Sequence, residues 1–355
     1  MSSPFLRNVW YAACLTADIK KNKMLTRVIL GEPVLLYRNQ KGNVKALRDI
    51  CPHRGIPLSY GRLVDDQVEC PYHGWKFDCE GTCTEIPSLL PDQSFDSTKI
   101  KVRTYLTREQ QGVVWVFMSD RASRSASEVT ALESSSGPQI PILSALPLEA
   151  KPQVALNKMF SCHVDHAVIG LMDPAHGPFI HKSWMWRSQK SMLEKTKKFA
   201  PVPFGFQMIR HRPSKNSKAY KILGGAPTTE ITFTLPSVRV EHICVGLRNL
   251  YSMTLLTPVT EKETRIHQLL YWDISWLTLI RPFVAWFARF FLKQDMDAVN
   301  QQQDGLRFDP TLMLIRDADT QAKWYFALKD QWIKSQQEGL EFKHPVTEVA
   351  LRWRS

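Results

Sequence analysis

Two short loops each combine one cysteine with one histidine: CPHRG contains Cys51 and His53, and CPYHGW contains Cys70 and His73. A thiolate and an imidazole from each loop can bind either a zinc ion or an iron–sulfur cluster. Structural zinc sites usually present two cysteines first and their histidines later. One cysteine and one histidine per loop suit a [2Fe–2S] centre in which two cysteines hold one iron and two histidines hold the other. The pattern therefore predicts a mixed-ligand cluster, with zinc as the alternative.

A second group of chemically capable side chains lies in the segment GLMDPAHGPFIHKSW, which contains Asp173, His176 and His181. Two histidines at this separation, the first close to a helix, can occupy neighbouring positions on one metal ion. A single carboxylate would complete the facial triad of non-haem Fe(II) enzymes, which leaves positions open for dioxygen and a substrate. The alternative is a pair of histidines that pack in the core without a metal.

The sequence motifs that contain both groups of residues resemble the motifs of one protein family. CPHRG…CPYHGWKFDCEGTCTEIP resembles the cluster-binding region of Rieske-type non-haem iron oxygenases, and D-x-x-H-x₄-H is similar to their iron-binding motif. The opening NVWYAA is also similar, so the resemblance covers nearly the whole chain. It implies an α+β protein in which an N-terminal all-β Rieske [2Fe–2S] domain precedes a helix-grip α+β catalytic domain. It also implies a head-to-tail homotrimer.

The resemblance assigns roles within the second group. It implies that His176 and His181 are ligands of a mononuclear Fe²⁺. Asp173 would hydrogen-bond a ligand histidine and relay electrons between the two metal centres. The segment FFLKQDMDAVNQQQ matches the family pattern E/Q-D-x₆-Q, which makes Asp295 the third ligand. Asp297 is the alternative, two residues further on and therefore on another face of the helix.

Some residues near these motifs do not fit a ligand role. Gly170 occupies the position where the family often has an asparagine, so an amide that could approach the iron is missing. Cys79 and Cys83 have no histidine partner beside them and are expected to be free or buried thiols. Three further polar residues are expected to pack beside the iron site rather than bind the metal: His163, Asp165 and His166.

The distribution of residue types predicts where the domains divide. The first part contains short β-branched and aromatic runs between turns, which are typical of strands. A serine-rich stretch then marks a linker. We expect a cluster domain over 1–122, a linker over 123–141 and a catalytic domain over 142–355. The catalytic domain mixes strands with helices, which are predicted around 168–181, 285–303 and 320–334.

Composition limits the cellular setting. The 355 residues are 44% hydrophobic with a net charge of +12, which excludes a disordered chain. Seven cysteines, an odd number, favour the reducing cytoplasm, and the first residues lack an export-signal pattern. The most apolar run, 276–292, contains Arg281 and Arg289 and is too short to span a membrane. We expect a cytoplasmic protein, with peripheral attachment at the inner membrane surface as the alternative.

The positive charge is concentrated in one stretch. Residues 187–221 contain ten lysines and arginines against Glu194 alone, a net charge of +9, and predict one basic face. An acidic ferredoxin or an anionic membrane surface could bind there. The remaining interpretation is a solvated face without a partner. The sequence contains no nucleic-acid-binding motif, so no nucleic-acid partner is expected.

The resemblance implies a terminal oxygenase that uses O₂ and electrons to oxidise a hydrophobic small molecule. Because the sequence has no G-x-G-x-x-G dinucleotide motif, the electrons must come from a separate ferredoxin or reductase. Monooxygenation is expected over dioxygenation. The expected substrate is a sterol or polycyclic terpenoid, oxidised for example by oxidative demethylation. One alternative is a hydroxylase or O-demethylase of a small aromatic compound, and another is a non-enzymatic Rieske electron carrier.

Overall fold

The computed structural model describes residues 4–120, 137–181, 189–214 and 223–355 and divides into two compact units. The first unit comprises Arg7–Ile142 and Leu148–Ala150. The second comprises Met1–Leu6, Leu143–Pro147 and Lys151–Ser355. The expected linker at 123–141 lies mostly outside the described residues, so the three-part division of the chain stays a prediction.

The first unit is built from β-strands, which confirms the predicted all-β class. Its described strands are β1 (Val9–Leu15), β2 (Met24–Ile29), β3 (Glu32–Arg38), β4 (Val44–Arg48), β5 (Arg62–Val64), β6 (Gln67–Glu69), β7 (Lys76–Phe77), β8 (Cys83–Glu85), β9 (Thr104–Tyr105), β10 (Thr107–Gln110) and β11 (Val113–Met118). They form three antiparallel sheets, in the orders β1-β11-β10, β2-β3-β4-β9 and β5-β6-β7-β8.

The β5–β8 sheet anchors the two cysteine–histidine loops. Its Val68 and Phe77 are opposite each other on neighbouring strands and are fully buried. They belong to one apolar cluster with Leu58, Cys51 and Cys70. Because both cysteines pack in this core, the core holds the two loops in position.

A partly buried carboxylate joins separate segments of the first unit. Glu32 accepts hydrogen bonds from Arg7 (2.7 Å), from Tyr105 (2.8 Å) and from Arg103 (2.8 Å). Burial opposes ionisation of Glu32, but the hydrogen bonds from Arg7 and Tyr105 more than offset it. The pKa of Glu32 therefore lies below its ordinary value of 4.5.

The second unit mixes one large sheet with helices, which confirms the predicted α+β class. Its described strands are β12 (Val154–Phe160), β13 (Glu194–Val202), β14 (Gly205–His211), β15 (Thr228–Thr234), β16 (Val238–Val245), β17 (Arg248–Thr260), β18 (Glu263–Trp272) and β19 (Val349–Arg354). Its described helices are α1 (Val164–Met172), α2 (Gly177–Ile180), α3 (Ser275–Leu279), α4 (Arg281–Leu306) and α5 (Thr320–Glu338). The eight strands are antiparallel in the order β12-β18-β17-β16-β15-β14-β13-β19. Within the described ranges, no helix has both the length and the apolarity needed to cross a membrane.

The helix predicted around 168–181 is two helices separated by a short turn. Helix α1 ends at Met172, and Asp173 is extended, with φ −62° and ψ 118°. The following Pro174 explains the break, because a residue before proline is disfavoured in the helical region. The turn brings His176 to the start of α2 and leaves His181 at its end.

Helix α1 is held against α5 by a buried ion pair. Asp165 accepts two hydrogen bonds from Lys329 Nζ (2.7 and 2.8 Å) and one from Tyr325 Oη (2.5 Å). All three residues are buried. Helix α4 buries Leu292 and Val299 against the rest of the unit. These contacts fix the helices that carry the second group of candidate ligands.

Candidate metal centres

The two cysteine–histidine loops have the same backbone conformation. In the first, Cys51 N–H donates to Ile56 O (2.9 Å), and Gly55 N–H donates to Cys51 O (2.9 Å). The second loop repeats both bonds, from Cys70 to Trp75 O (2.8 Å) and from Gly74 to Cys70 O (3.1 Å). Gly55 and Gly74 have φ values of 74° and 71°, a conformation that favours glycine. Each loop therefore presents its cysteine and histidine in an equivalent way.

The thiols of this centre point inward and the imidazoles outward. Cys51 and Cys70 are each 2% exposed, whereas His53 is exposed and His73 is partly exposed. The two imidazole rings lie 4.6 Å apart. Burial, together with the neighbouring Cys70 thiol, raises the pKa of Cys51 to about 11. Partial burial and the charges of His53 and Arg54 lower the pKa of His73, which favours the neutral imidazole that a metal needs.

The donor types of the first centre favour a cluster over a single zinc ion. The described residues contain one three-ligand group compact enough for a single ion, and Cys51, His53, Cys70 and His73 are not part of it. The four side chains supply two thiolates and two imidazoles, the donor set of a [2Fe–2S] cluster in which two cysteines hold one iron and two histidines hold the other. The assignment of these four residues as the ligand set stays a prediction.

The other two cysteines of this region are free thiols. Cys83 is fully buried and its Sγ donates to Glu85 O (3.6 Å). Cys79 is partly exposed and contacts Glu80 (3.7 Å). Burial raises the pKa of both thiols, which keeps them protonated. Neither joins a described metal-ligating group.

The second centre brings together His176, His181 and Asp295. The two Nε2 atoms are 3.2 Å apart, and Asp295 Oδ1 lies 3.1 Å from His181 Nε2 and 3.7 Å from His176 Nε2. Neighbouring ligands on one ion, with bonds of about 2.1 Å, stand about 3 Å apart. The arrangement therefore fits one metal ion bound on one face. Asp297 instead pairs with Lys293 (2.6 Å), so Asp295 is the aspartate that the fold places beside the histidines.

A hydrogen bond orients His181, and a carboxylate lies near the outer nitrogen of His176. Gln294 Oε1 accepts from His181 Nδ1 (3.0 Å), and Asp173 Oδ2 lies 3.6 Å from His176 Nδ1. Each contact leaves Nε2 available for a metal. Burial opposes protonation of His176, but the carboxylates of Asp173 and Asp295 raise its pKa above the usual value. Gln294 was not identified from the sequence as functional, although its position directly before Asp295 in the family pattern was a usable signal.

A cavity of about 300 Å³ opens beside the second centre. Its polar lining residues are Asp173, His176, Gln268, Asp295 and Gln302. Most of the remaining wall is apolar: Phe160, Leu171, Ile180, Ile266, Leu292 and Val299. Gly170 also lines it, and a Cβ there would meet Val299 at an ordinary 3.9 Å. The helix does not need glycine for packing at this position, so Gly170 enlarges the cavity.

The polar residues expected beside the iron site have structural roles. Asp165 forms a buried ion pair with Lys329. His163 caps α1 by accepting from Asp165 N–H (3.2 Å). Burial lowers the pKa of His163 and His166. Among the described residues, none of the three joins the donor atoms of His176, His181 and Asp295.

Among the described residues of the stretch 187–221, the basic side chains do not all lie on one exposed face. Lys195 is buried and donates to Ser355 Oγ (2.7 Å), and Arg210 forms an ion pair with Glu230 (2.6 Å). Lys198 and Arg212 are exposed. The strands β13 and β14 alternate their side chains between two sides, which divides the charges. Four of the ten basic residues of the stretch lie outside the described residues: Arg187, Lys215, Lys218 and Lys221.

Comparison with protein families gives one match in each unit. A model of the Rieske [2Fe–2S] domain matches residues 9–105. A model of the vanillate O-demethylase oxygenase C-terminal domain matches residues 160–334. The first match contains both cysteine–histidine loops, and the second contains His176, His181 and Asp295.

Curated relatives are similar over part of the chain. Chlorophyllide a oxygenase of Arabidopsis thaliana is 29% identical over 183 residues, which are 51% of this chain and 30% of the relative. The oxygenase component of dicamba O-demethylase from Stenotrophomonas maltophilia is 32% identical over 179 residues, 50% of this chain and 48% of the relative. The chain thus spans less than half the length of either relative.

Two solved structures have the same fold over nearly the whole chain. Dicamba monooxygenase bound to dicamba has a TM-score of 0.73 at 22% identity, covering 95% of this chain and 99% of that one. NdmA of Pseudomonas putida CBB5 with caffeine has a TM-score of 0.72 at 17% identity, covering 94% and 92%.

Proposed function

Since the chain belongs to the Rieske-type non-haem iron oxygenases, we propose that it is a terminal oxygenase that oxidises a small, largely apolar aromatic molecule with O₂. The observation that carries the proposal is the position of His176 Nε2, His181 Nε2 and Asp295 Oδ1. They lie within 3.1–3.7 Å of one another, beside a largely apolar cavity that His176 and Asp295 help to line.

The side chains of the two candidate sites fit the [2Fe–2S] cluster and the Fe²⁺ ion that this family uses. Cys51, Cys70, His53 and His73 would hold the [2Fe–2S] cluster, and His176, His181 and Asp295 would hold the Fe²⁺ ion. When bound, the cluster supplies single electrons and the ferrous ion supplies the reduction of dioxygen. Gln294 and Asp173 orient the two imidazoles before any substrate arrives. The apolar cavity wall excludes water from the space in which the substrate would bind.

The size of the cavity favours the small-aromatic alternative over a sterol. Ligand pockets have volumes of about 300–1,000 Å³, and this cavity is at the lower end of that range. Structural neighbours contain dicamba and caffeine, both compact ring compounds. The expectation of a sterol or polycyclic terpenoid has no support from these comparisons. We therefore propose hydroxylation or O-demethylation of a small aromatic compound, by monooxygenation.

We also propose that a separate ferredoxin or reductase supplies the electrons and that the chain acts as a head-to-tail homotrimer. In such a trimer Asp173 would link a ligand histidine to His73 of the neighbouring copy. Asp173 Oδ1 already accepts from Ala175 N–H (2.7 Å), which is a purely local role. Asp173→Asn keeps an oxygen for that bond and removes the charge. We expect the Asp173→Asn variant to retain both metal centres and to turn over slowly. If the variant turns over as fast as the wild type, Asp173 has only the local role.

A substrate panel tests the proposed function. The purified protein, loaded with both iron centres, is supplied with a surrogate ferredoxin and its reductase under ¹⁸O₂. The panel contains methoxybenzoates, N-methylated purines and sterols, and Asp295→Ala is the control. We expect substrate-dependent O₂ uptake with a small aromatic compound only, giving either an ¹⁸O-labelled hydroxylated product or, on demethylation, an unlabelled demethylated ring compound together with formaldehyde. Oxidation of sterols alone would refute the substrate class, and no oxidised product from any compound would refute the oxygenase.

A further inference from the structure

Helix α3 and the first half of α4 expose large apolar side chains. Leu279 is 84% exposed, Trp286 57% and Phe283 50%, and Phe290 is exposed as well. Phe283, Trp286 and Phe290 are three or four residues apart, so they lie along one side of the helix. Their rings stack in succession, with centroids 5.7 and 6.1 Å apart. We call these residues, together with Ile280, the aromatic face.

A hairpin tip lies at the same corner of the unit. Leu247, in the turn between β16 and β17, is 98% exposed and is followed by the exposed Arg248. Asn249 is tied to Asp273 by two hydrogen bonds, of 2.6 and 2.8 Å. Asp273 stands two residues before α3. The hairpin therefore adds an apolar tip and a cation beside the start of the aromatic face.

The charge around the aromatic face has one sign. Between Asp273 and Asp295 the sequence contains Arg281, Arg289 and Lys293 and no acidic residue. Arg281 and Arg289 are exposed, while Lys293 is paired with Asp297. Aromatic and leucine side chains beside arginines are typical of helices that lie in the plane of a membrane interface.

We propose that the aromatic face docks onto an anionic lipid bilayer, with α3 and the first half of α4 lying along the membrane surface. The cations match anionic headgroups, and the phenyl and indole rings match the boundary between headgroups and acyl chains. A two-fold symmetric contact with a second copy is disfavoured because it would bring Arg281 and Arg289 against the same cations, and a head-to-tail contact in the proposed trimer is tested separately by self-association. Docking places the membrane next to the iron site, since Phe290 contacts Phe291 (6.3 Å) and Phe291 stacks on His181 (4.5 Å). This inference goes beyond the proposed reaction and does not depend on it.

Vesicle binding tests the docking with the full-length, cluster-loaded protein. Co-sedimentation compares phosphatidylcholine vesicles with and without phosphatidylglycerol, at increasing salt. We expect binding that needs phosphatidylglycerol and weakens with salt. The Arg281→Glu/Arg289→Glu pair should weaken it by about thirty-fold or more. The Trp286→Ser/Phe290→Ser pair should weaken it by about tenfold or more. All four side chains are at the surface. Circular dichroism and thermal unfolding verify that each variant is folded.

Matched variants elsewhere on the surface serve as controls. Lys198→Glu/Arg212→Glu makes the same charge change in the basic stretch, and Leu312→Ser/Met313→Ser removes two exposed apolar side chains distant in sequence. Both controls should bind vesicles like the wild type. Spin-labelled lipids should quench tryptophan fluorescence of the wild type more than that of Trp286→Phe.

Three results would overturn the docking. One is equal binding of wild type and both aromatic-face variants, and another is binding without any need for phosphatidylglycerol. The third is loss of self-association in Trp286→Ser/Phe290→Ser with unchanged vesicle binding, which would make the face an interface between copies. None of these experiments measures turnover, so they test the docking even if the proposed oxygenation is wrong.

Discussion

Gln294 offers a direct test of how the second centre is assembled. Its carboxamide oxygen accepts the hydrogen bond from His181 Nδ1 at 3.0 Å, and His181 is buried. This bond keeps the proton on Nδ1 and the lone pair on Nε2, toward His176 and Asp295. Gln294→Ala leaves the buried ring free to take the other tautomer and to rotate. Loss of such an outer partner typically costs 10–100-fold in metal affinity, or about 1.4–2.7 kcal/mol.

The assay is an anaerobic titration of Fe²⁺ into protein from which only the mononuclear iron has been removed. The cluster absorbance verifies that the cluster is retained, and thermal unfolding verifies that the second unit is folded. We expect Gln294→Ala to bind Fe²⁺ about 10–100-fold more weakly. Gln294→Glu, which keeps an acceptor oxygen, should bind close to the wild type. Gln303→Ala is the matched control, because Gln303 lies on the same helix and its side chain donates to Val299 O (3.3 Å).

Two results would refute the reasoning. Wild-type affinity in Gln294→Ala would mean that packing alone, including the stacked Phe291, orients His181. Equal losses in Gln294→Ala and Gln294→Glu would mean that the amide acts through something other than its acceptor oxygen.

Three further predictions concern the metals, the core and the acid limit of stability. Asp295→Ala should lose the mononuclear iron and keep the cluster, whereas Asp297→Ala should keep both; iron analysis decides, and the reverse pattern would move the ligand by two residues. Asp165→Ala should destabilise the second unit by about 3–5 kcal/mol in urea unfolding because it leaves the buried Lys329 charge unpaired. The double variant Asp165→Leu/Lys329→Met should recover most of this loss, because it removes both charges. Equal losses of stability in the two variants would contradict this. The depressed pKa of Glu32 means that its carboxylate stabilises the fold above the unfolded value near 4.5 and loses this effect as pH falls through the lower folded value. Glu32→Gln should therefore flatten the acid limb of a stability–pH profile, and an unchanged limb would exclude Glu32 as its cause.

The sequence predicted those parts of the two centres that depend on local spacing. A cysteine and a histidine within one tight loop can be recognised without a fold, because the loop itself fixes their relation. Asp295 was identified from the pattern of one helix, and the structure places it, rather than Asp297, beside both histidines. The same reasoning joined α1 and α2 into one helix, although Pro174 was a visible reason to divide them.

Long-range pairings could not be predicted in this way. Asp165 and Lys329 are 164 residues apart, and nothing local marks either as half of a buried ion pair. The basic stretch was misjudged for the same reason. Its charges are close in sequence, but in the fold Lys195 is buried against Ser355, whereas Arg210 pairs with Glu230.

The substrate class depends on this long-range part of the structure. The cavity wall takes residues from β12, β18, α1, α2 and α4, so its volume is a property of how these elements pack. Apolar composition near Asp295 pointed to a bulky lipid because the sequence does not distinguish apolar side chains that line a cavity from those on the surface. In the structure Leu292 lines the cavity, whereas Trp286 and Phe290, on the same helix, face outward. One apolar run therefore has two sides: its inner side helps to line the cavity of about 300 Å³ in which the substrate is proposed to bind, and its outer side forms the surface proposed to meet the membrane.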